Sequence, residues 1–444
     1  MTTIDLPESP VTAPPELVGR GARESARLTR QWFQQLGQAA LRGTPAAYVF
    51  VMGSMSEVLR CFDFPIVFPE VTALQAAVRG TAEAFLTDAE EYGYSPDICG
   101  YLKADVAMHV GNRPHPMGAL PKPAIAIATN SCNTYFKWAE AWERIYHIPV
   151  MTIDVPNARA ANADSRRGDS DYGWELAYVK SQIEDLIRTC ERITGRRFDI
   201  DRFRECLRHQ NRIARSWKKL LELNENKPAI FNALTDGLAY MGMVNCFRAS
   251  EEGAIYFEQL VEEMTWRSAH GIGALIRRDG KDVQIEQRFR LGFHGVPCYS
   301  FFRGFNELFS DWGGFFVTSS YMHVASGGPQ IGYEFDLANP IESFAEGTML
   351  ALRDGQNLTL FEVPHMETAQ SRFQLDGLVY HGAKSCRTGG TGLADRRMHM
   401  FERIGLPSLL IESDIVDPRS VSRAQLKNRA DAFFEGLITR RQKQ

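Results

Sequence analysis

Hydrophobic residues in this chain fall into two kinds of pattern. Short apolar runs at residues 46–52 (AAYVFVM, stopped by Gly53), 123–129 (PAIAIAT) and 149–155 (PVMTIDV) read as strands buried on both faces. Helical spacing over residues 25–41 predicts a helix before the first run, and over 135–146 a helix between the last two. Apolar runs that alternate with helices predict a mostly parallel sheet with covered faces. From Gly173 to His270 long amphipathic patterns, such as 176–194 and 201–223, predict a helical connector. A second α/β region follows, with strands expected at 314–320 (GFFVTSS), 375–380 (LDGLVY) and 407–413 (PSLLIES). The last helix is expected over 422–440, with Asp417-Pro418 as its start signal. Pro7, Pro10, Pro14 and Pro15 oppose regular structure, so residues 1–22 are expected to be a flexible leader. The expected division is 23–165 and 276–444 as α/β domains and 166–275 as the connector. The two α/β regions are candidates for distant structural copies.

Composition narrows the function. Of 444 residues 44% are hydrophobic and 23% charged, an ordinary globular balance that allows two or three domains. A net charge of -4 leaves no basic excess to neutralise a phosphate backbone, which argues against nucleic acid. No apolar run reaches membrane-spanning length, and residues 1–16 lack the basic-then-apolar order of a signal peptide. A cytoplasmic location is expected, where thiols stay reduced.

Familiar cofactor motifs are absent. The segment GLVYHGAKS at 377–385 approaches a phosphate-binding loop, but Ala383 separates Gly382 from Lys384 and the register fails. Asp395 stands where a dinucleotide fingerprint built on Gly389, Gly390 and Gly392 needs a small residue. There is no Cys-x-x-Cys, which excludes local zinc-ribbon and ferredoxin-type sites.

The eight cysteines then carry the question. Cys61, Cys190, Cys206 and Cys246 sit in or beside helical patterns and read as packing residues. Cys298 lies in a loop and stays ambiguous. Cys99, Cys132 and Cys386 each sit in a turn or near a helix start among small and polar neighbours (DICGYLK, NSCNTYFK, AKSCRTGG). An open parallel sheet exposes functional groups at the carboxyl ends of its strands. That draws attention to Ser131, Cys132 and Asn133.

These segments resemble the 2-hydroxyacyl-CoA dehydratase and benzoyl-CoA reductase superfamily. So do ITGRRFDIDRFRECL from Ile193, RFRLGFHGVPC from Arg288, GLPSLLIESD from Gly405 and NRADAFFEGL from Asn428. Within it, the stretch from Asn130 to Pro156 and HGAKSCR from His381 are most similar to the larger catalytic subunits of ATP-dependent benzoyl-CoA reductases. The resemblance implies two Rossmann- or flavodoxin-like parallel-sheet domains joined by a helical segment. It implies a [4Fe-4S] cluster at their interface, bound by Cys99, Cys132 and Cys386, with Cys298 as the substitute third ligand. Three thiolates for four irons leave one iron open to another ligand.

Further implications concern roles and partners. Glu57, in GSMSEVLRCFDFP, matches a glutamate near the cluster, to be weighed against a solvated helix-start carboxylate. Lys384 and Arg387 could tune the cluster, meet a CoA phosphate or lie on the surface. The implied reaction is two-electron dearomatisation of benzoyl-CoA to a cyclic dienoyl-CoA. Implied partners are a homologous second cluster-binding catalytic subunit, two ATPase activator subunits sharing a [4Fe-4S] cluster, and ferredoxin as donor. The rivals are a (R)-2-hydroxyacyl-CoA dehydratase subunit and a non-catalytic electron-relay or scaffold subunit.

Overall fold

The computed structural model describes residues 8–10, 17–111, 113–156, 171–278, 281–324, 332–360 and 362–443. Two four-stranded parallel sheets organise it. In the amino-terminal half the spatial order is Ile66–Val67, Ala46–Val49, Pro123–Thr129, Val150–Ile153. In the carboxy-terminal half it is Gly314–Ser319, Phe289–His294, Gly377–Ala383, Ser408–Ser413. Numbered along the chain, each half has the order 2-1-3-4, so the two halves repeat one doubly wound topology. The fold is therefore α/β, as the alternation of apolar runs and helices predicts.

Burial explains the strand composition. Every residue of Ala46–Val49, Phe289–His294 and Gly314–Ser319 is buried, which requires nearly continuous apolar runs. The exception is instructive. Arg290 interrupts FRLGFH, so the run does not read as a strand, yet its side chain is buried. Its Nε donates to the Phe373 carbonyl at 2.6 Å and its Nη1 to the Asn226 carbonyl at 2.9 Å. Those bonds satisfy the guanidinium and make the strand possible.

The connector is helical as expected, with helices Tyr172–Thr194, Ile200–Leu223, Asp236–Cys246 and Glu251–Ala269. Asp199 caps the second by accepting from the Asp201 and Arg202 amides.

The leader differs from expectation. Glu8–Pro10 form a strand antiparallel to Lys281–Ile285, which also pairs with Leu275–Arg278. Proline is tolerated on such an edge. The first helix begins at Arg20 rather than near Ser25, because Glu263 accepts from the Gly19 and Gly21 amides at 2.7 Å each. No local cap announces that start. Asp417 likewise caps a short turn, Pro418–Ser420, and the last helix, Arg423–Gln442, begins beyond it. The near phosphate loop is mostly the strand Gly377–Ala383, paired on both sides. Among the described residues no helix is long and apolar enough to cross a membrane.

Candidate functional site

In an open parallel sheet, ligands bind beyond the carboxyl ends of the strands where the order reverses, here between the first and third strands of each half. Cys132 follows the third strand of the first half by three residues, and Cys386 stands in the same relation to the third strand of the second. Segments after both first strands line the same cavity, Val51 and Met52 from one half and His294 to Val296 from the other. The cavity, about 130 Å³, is walled mainly by apolar atoms, and Cys99, Cys132 and Cys386 all line it.

All three cysteines are helix N-caps, of Gly100–Val110, Asn133–Tyr146 and Arg387–Gly390. The two longer helices point their positive ends at the thiols, which favours sulfur in its anionic form. The side chain of Cys386 also accepts from the Gly389 amide at 3.3 Å, and the Cys132 thiol lies 3.3 Å from Thr388 Oγ1. Against this, burial pushes the Cys99 thiol well above its ordinary range and Cys386 to about 11. Those thiols carry protons at neutral pH unless a metal displaces them.

Long-range bonds set the cysteine positions. Asp105 accepts from the indoles of Trp138 and Trp142 at 2.7 and 2.8 Å, locking the helix after Cys99 to the helix after Cys132. Asp414 accepts from the Ser385 amide at 2.9 Å, and Ser385 Oγ accepts from the Gly100 amide at 3.2 Å. The start of the Cys99 helix thus docks on the opposite half. A Cβ on Gly100 would lie 2.6 Å from Val416 Cγ2 and 3.0 Å from Asp414 Oδ1. Gly100→Ala is therefore expected to cost about 1–3 kcal/mol of stability. A thermal melt superimposable on the wild type would show that the halves do not pack this closely.

Glu70 is the feature that sequence reasoning missed. It lies in the first turn of the helix Pro69–Val78, lines the cysteine cavity and is only 6% exposed. Tyr135 Oη donates to it at 2.6 Å and the Val51 amide at 2.7 Å. Burial outweighs both bonds and raises its carboxyl to about 7. The available signal was a Pro-Glu helix start directly after a short apolar run.

Other candidates stand elsewhere. Glu57 is fully buried, not a solvated helix-start carboxylate, and pairs with Arg248 at 2.7 Å outside the cavity lining. Cys298 is 2% exposed, 3.6 Å from Ser300 Oγ, and is likewise not in the lining. Lys384 and Arg387 are exposed. Cys61, Cys190, Cys206 and Cys246 are buried in packed helical surroundings.

Among the described residues no three His, Cys, Asp or Glu side chains close on one point as an isolated ion requires. The three thiols line one cavity, and because thiolates are the side chains that bind iron–sulfur clusters, they would be the residues to hold such a group there. Ser131 Oγ, in the same lining, is buried with no hydrogen-bond partner among the described residues.

The sequence profile described as 2-hydroxyglutaryl-CoA dehydratase, D-component, matches residues 53–437, which include all three cysteines and both parallel sheets except the start of the first. The chain belongs to this family. It is 31% identical over 403 residues to one of the benzoyl-CoA reductase subunits of Thauera aromatica, covering 90% of each chain. It is 24% identical to the (R)-phenyllactyl-CoA dehydratase alpha subunit of Clostridium sporogenes, over 87% of this chain and 88% of that one. With the (R)-2-hydroxyglutaryl-CoA dehydratase alpha subunit of Acidaminococcus fermentans it shares 22% identity, over 95% and 98%. These family members are enzyme subunits named for CoA thioesters, which supports an enzymatic role for this chain.

Proposed function

We propose that this chain is the cluster-binding catalytic subunit of a cytoplasmic benzoyl-CoA reductase, with a [4Fe-4S] cluster held by Cys99, Cys132 and Cys386. The observation that carries the reading is the convergence of the three cysteines on one cavity, Cys132 and Cys386 just beyond the third strand of each half and Cys99 at the start of the helix Gly100–Val110. The 31% identity to a benzoyl-CoA reductase subunit supports the choice of reaction. A homologous second cluster-binding subunit, a pair of ATPase activator subunits sharing a [4Fe-4S] cluster, and ferredoxin complete the assembly. ATP is hydrolysed on the activator.

When bound, a cluster of this class supplies single electrons at potentials that reach about -700 mV at the low end. The protein's own residues supply the rest. Apolar walls keep water from the reacting centre. Glu70, close to half protonated at neutral pH, holds a proton on its carboxyl beside the cavity, with Tyr135 fixing its orientation. Helix N-termini stabilise negative charge that develops at the site.

Electron counting tests the reaction. With a strong reductant, ATP and the full assembly, each benzoyl-CoA converted is expected to consume two electrons and yield a dienoyl-CoA. Water elimination from a 2-hydroxyacyl-CoA with only a priming electron would replace this reading with a dehydratase. A cluster spectrum indifferent to any acyl-CoA would point to an electron-relay or scaffold subunit.

A further inference from the structure

Two of the cysteines that pack among helices, Cys206 and Cys246, also line a cavity of about 480 Å³, which shares no lining residue with the cavity of Cys99, Cys132 and Cys386. The exposed Gln35, Asp63 and Glu205 line it too, so it opens to solvent. Cys61, the C-cap of the helix Ser56–Arg60, meets Cys206 at its wall. Arg202 fixes that meeting. It lies one turn before Cys206 on the helix Ile200–Leu223 and so shares a face with it, and its guanidinium bonds Asp63 and donates to the Cys61 carbonyl at 3.4 Å. Arg60 donates to the carbonyls of Cys246 and Arg248 at 3.0 and 2.6 Å. The segment around Cys61 is thereby held against the connector helices, with the Cys61 and Cys206 thiols hydrogen-bonded to each other.

The two thiols are chemically unequal. A hydrogen bond from Cys61, helped by the Arg60 and Arg202 guanidiniums, holds the Cys206 thiol below its ordinary range, although burial and Glu57 oppose this. The same bond and burial push the Cys61 thiol up, and Asp199 adds to the effect. Cys246, in the same cavity, has its thiol raised by burial. A thiolate is the nucleophile in disulfide exchange, and a thiol beside it resolves the mixed disulfide that forms. Cys206 and Cys61 hold those two positions.

We propose that Cys61 and Cys206 form a redox-active dithiol, Cys206 attacking and Cys61 resolving, with small-molecule disulfides as the oxidant class. The site is independent of the cluster assignment. The Cys206 thiolate attacks one sulfur of the small disulfide, forming a mixed disulfide and releasing one thiolate. Cys61 then gives up its proton and attacks the Cys206 sulfur, which forms the Cys61–Cys206 bond and releases the second thiolate. The two protein thiols lose two electrons and two protons, and the small disulfide leaves as two thiols. The product ties the segment that follows the first strand to the connector, and excess thiol reverses it.

Peptide mapping tests the assignment. The anaerobically purified protein would be treated with oxidised glutathione, alkylated after denaturation and digested with trypsin. The expected product is a peptide pair joined through Cys61 and Cys206, lighter by two hydrogens than the separate peptides and released by dithiothreitol. It is expected to form at least about tenfold faster than any adduct on Cys246, which shares the cavity but not the lowered thiol. In Cys61→Ser, which keeps a hydroxyl to donate to Cys206 but cannot resolve, glutathione is expected to stay on Cys206. Cys99, Cys132 and Cys386 fall on other tryptic peptides, so the outcome does not depend on whether they bind a cluster. Recovery of Cys61 and Cys206 as alkylated thiols from the treated wild type would overturn the proposal. Glutathione held on Cys61 or Cys246 in place of the joined pair would do the same.

Discussion

Replacing Cys99, Cys132 or Cys386 with alanine, one at a time, is expected to abolish the cluster signal in electron paramagnetic resonance and remove about four irons. Cys298→Ala is expected to keep both. The contrast follows from placement. The first three cysteines are helix N-caps lining one cavity, whereas Cys298 is 2% exposed and stands outside the lining. In the proposed ligand set, loss of one of three thiolates leaves two, too few to retain a cluster. Each alanine removes a small, half-buried side chain, so the fold is expected to survive and far-ultraviolet circular dichroism to stay unchanged. Iron that persisted through all three substitutions, or vanished with Cys298→Ala, would show that the ligands are wrongly assigned.

Glu70→Gln is expected to change activity and stability in opposite directions. As a proton donor, Glu70 works in its acid form, so kcat/KM should fall as pH rises through about 7. Glutamine should remove that limb of the profile and slow turnover by about 10²–10⁴-fold. The groups facing this carboxyl are Tyr135, Tyr101, Tyr299 and Tyr321, with His294 across the same cavity. Burial raises the four tyrosines above their ordinary range, so they stay neutral through this window.

The stability effect has a definite sign. A carboxyl raised in the folded state contributes stability below its ordinary value of 4.5 that is lost as pH rises through about 7. At pH 8 the buried carboxylate therefore costs stability, and Glu70→Gln is expected to be about 1–3 kcal/mol more stable than wild type. At pH 4 the two should differ little. A variant that kept the wild-type pH profile, with unchanged rate, would remove Glu70 from the proton path.

Much of the architecture could be read in sequence because burial on both faces of a parallel sheet leaves continuous apolar runs. PAIAIAT predicts the strand Pro123–Thr129 without shift, while AAYVFVM ends early as a strand, at Val49. FRLGFH escaped that reading because the carbonyls that satisfy Arg290 come from other segments of the chain. The start of the first helix escaped it for the same reason, its cap being Glu263 on another helix.

By itself the sequence determined which cysteines occupy turns and helix starts, because small and polar neighbours and the end of an apolar run are local signals. It also carried the family likeness across nearly its whole length. Only the tertiary structure decided that Cys386 rather than Cys298 lines the cavity with Cys99 and Cys132, and that Glu70 faces it while Glu57 pairs with Arg248. Those outcomes depend on the order of strands within each sheet and on how the two halves meet. Hydrophobic periodicity specifies which side of an element is buried, but not which distant residue will lie opposite it.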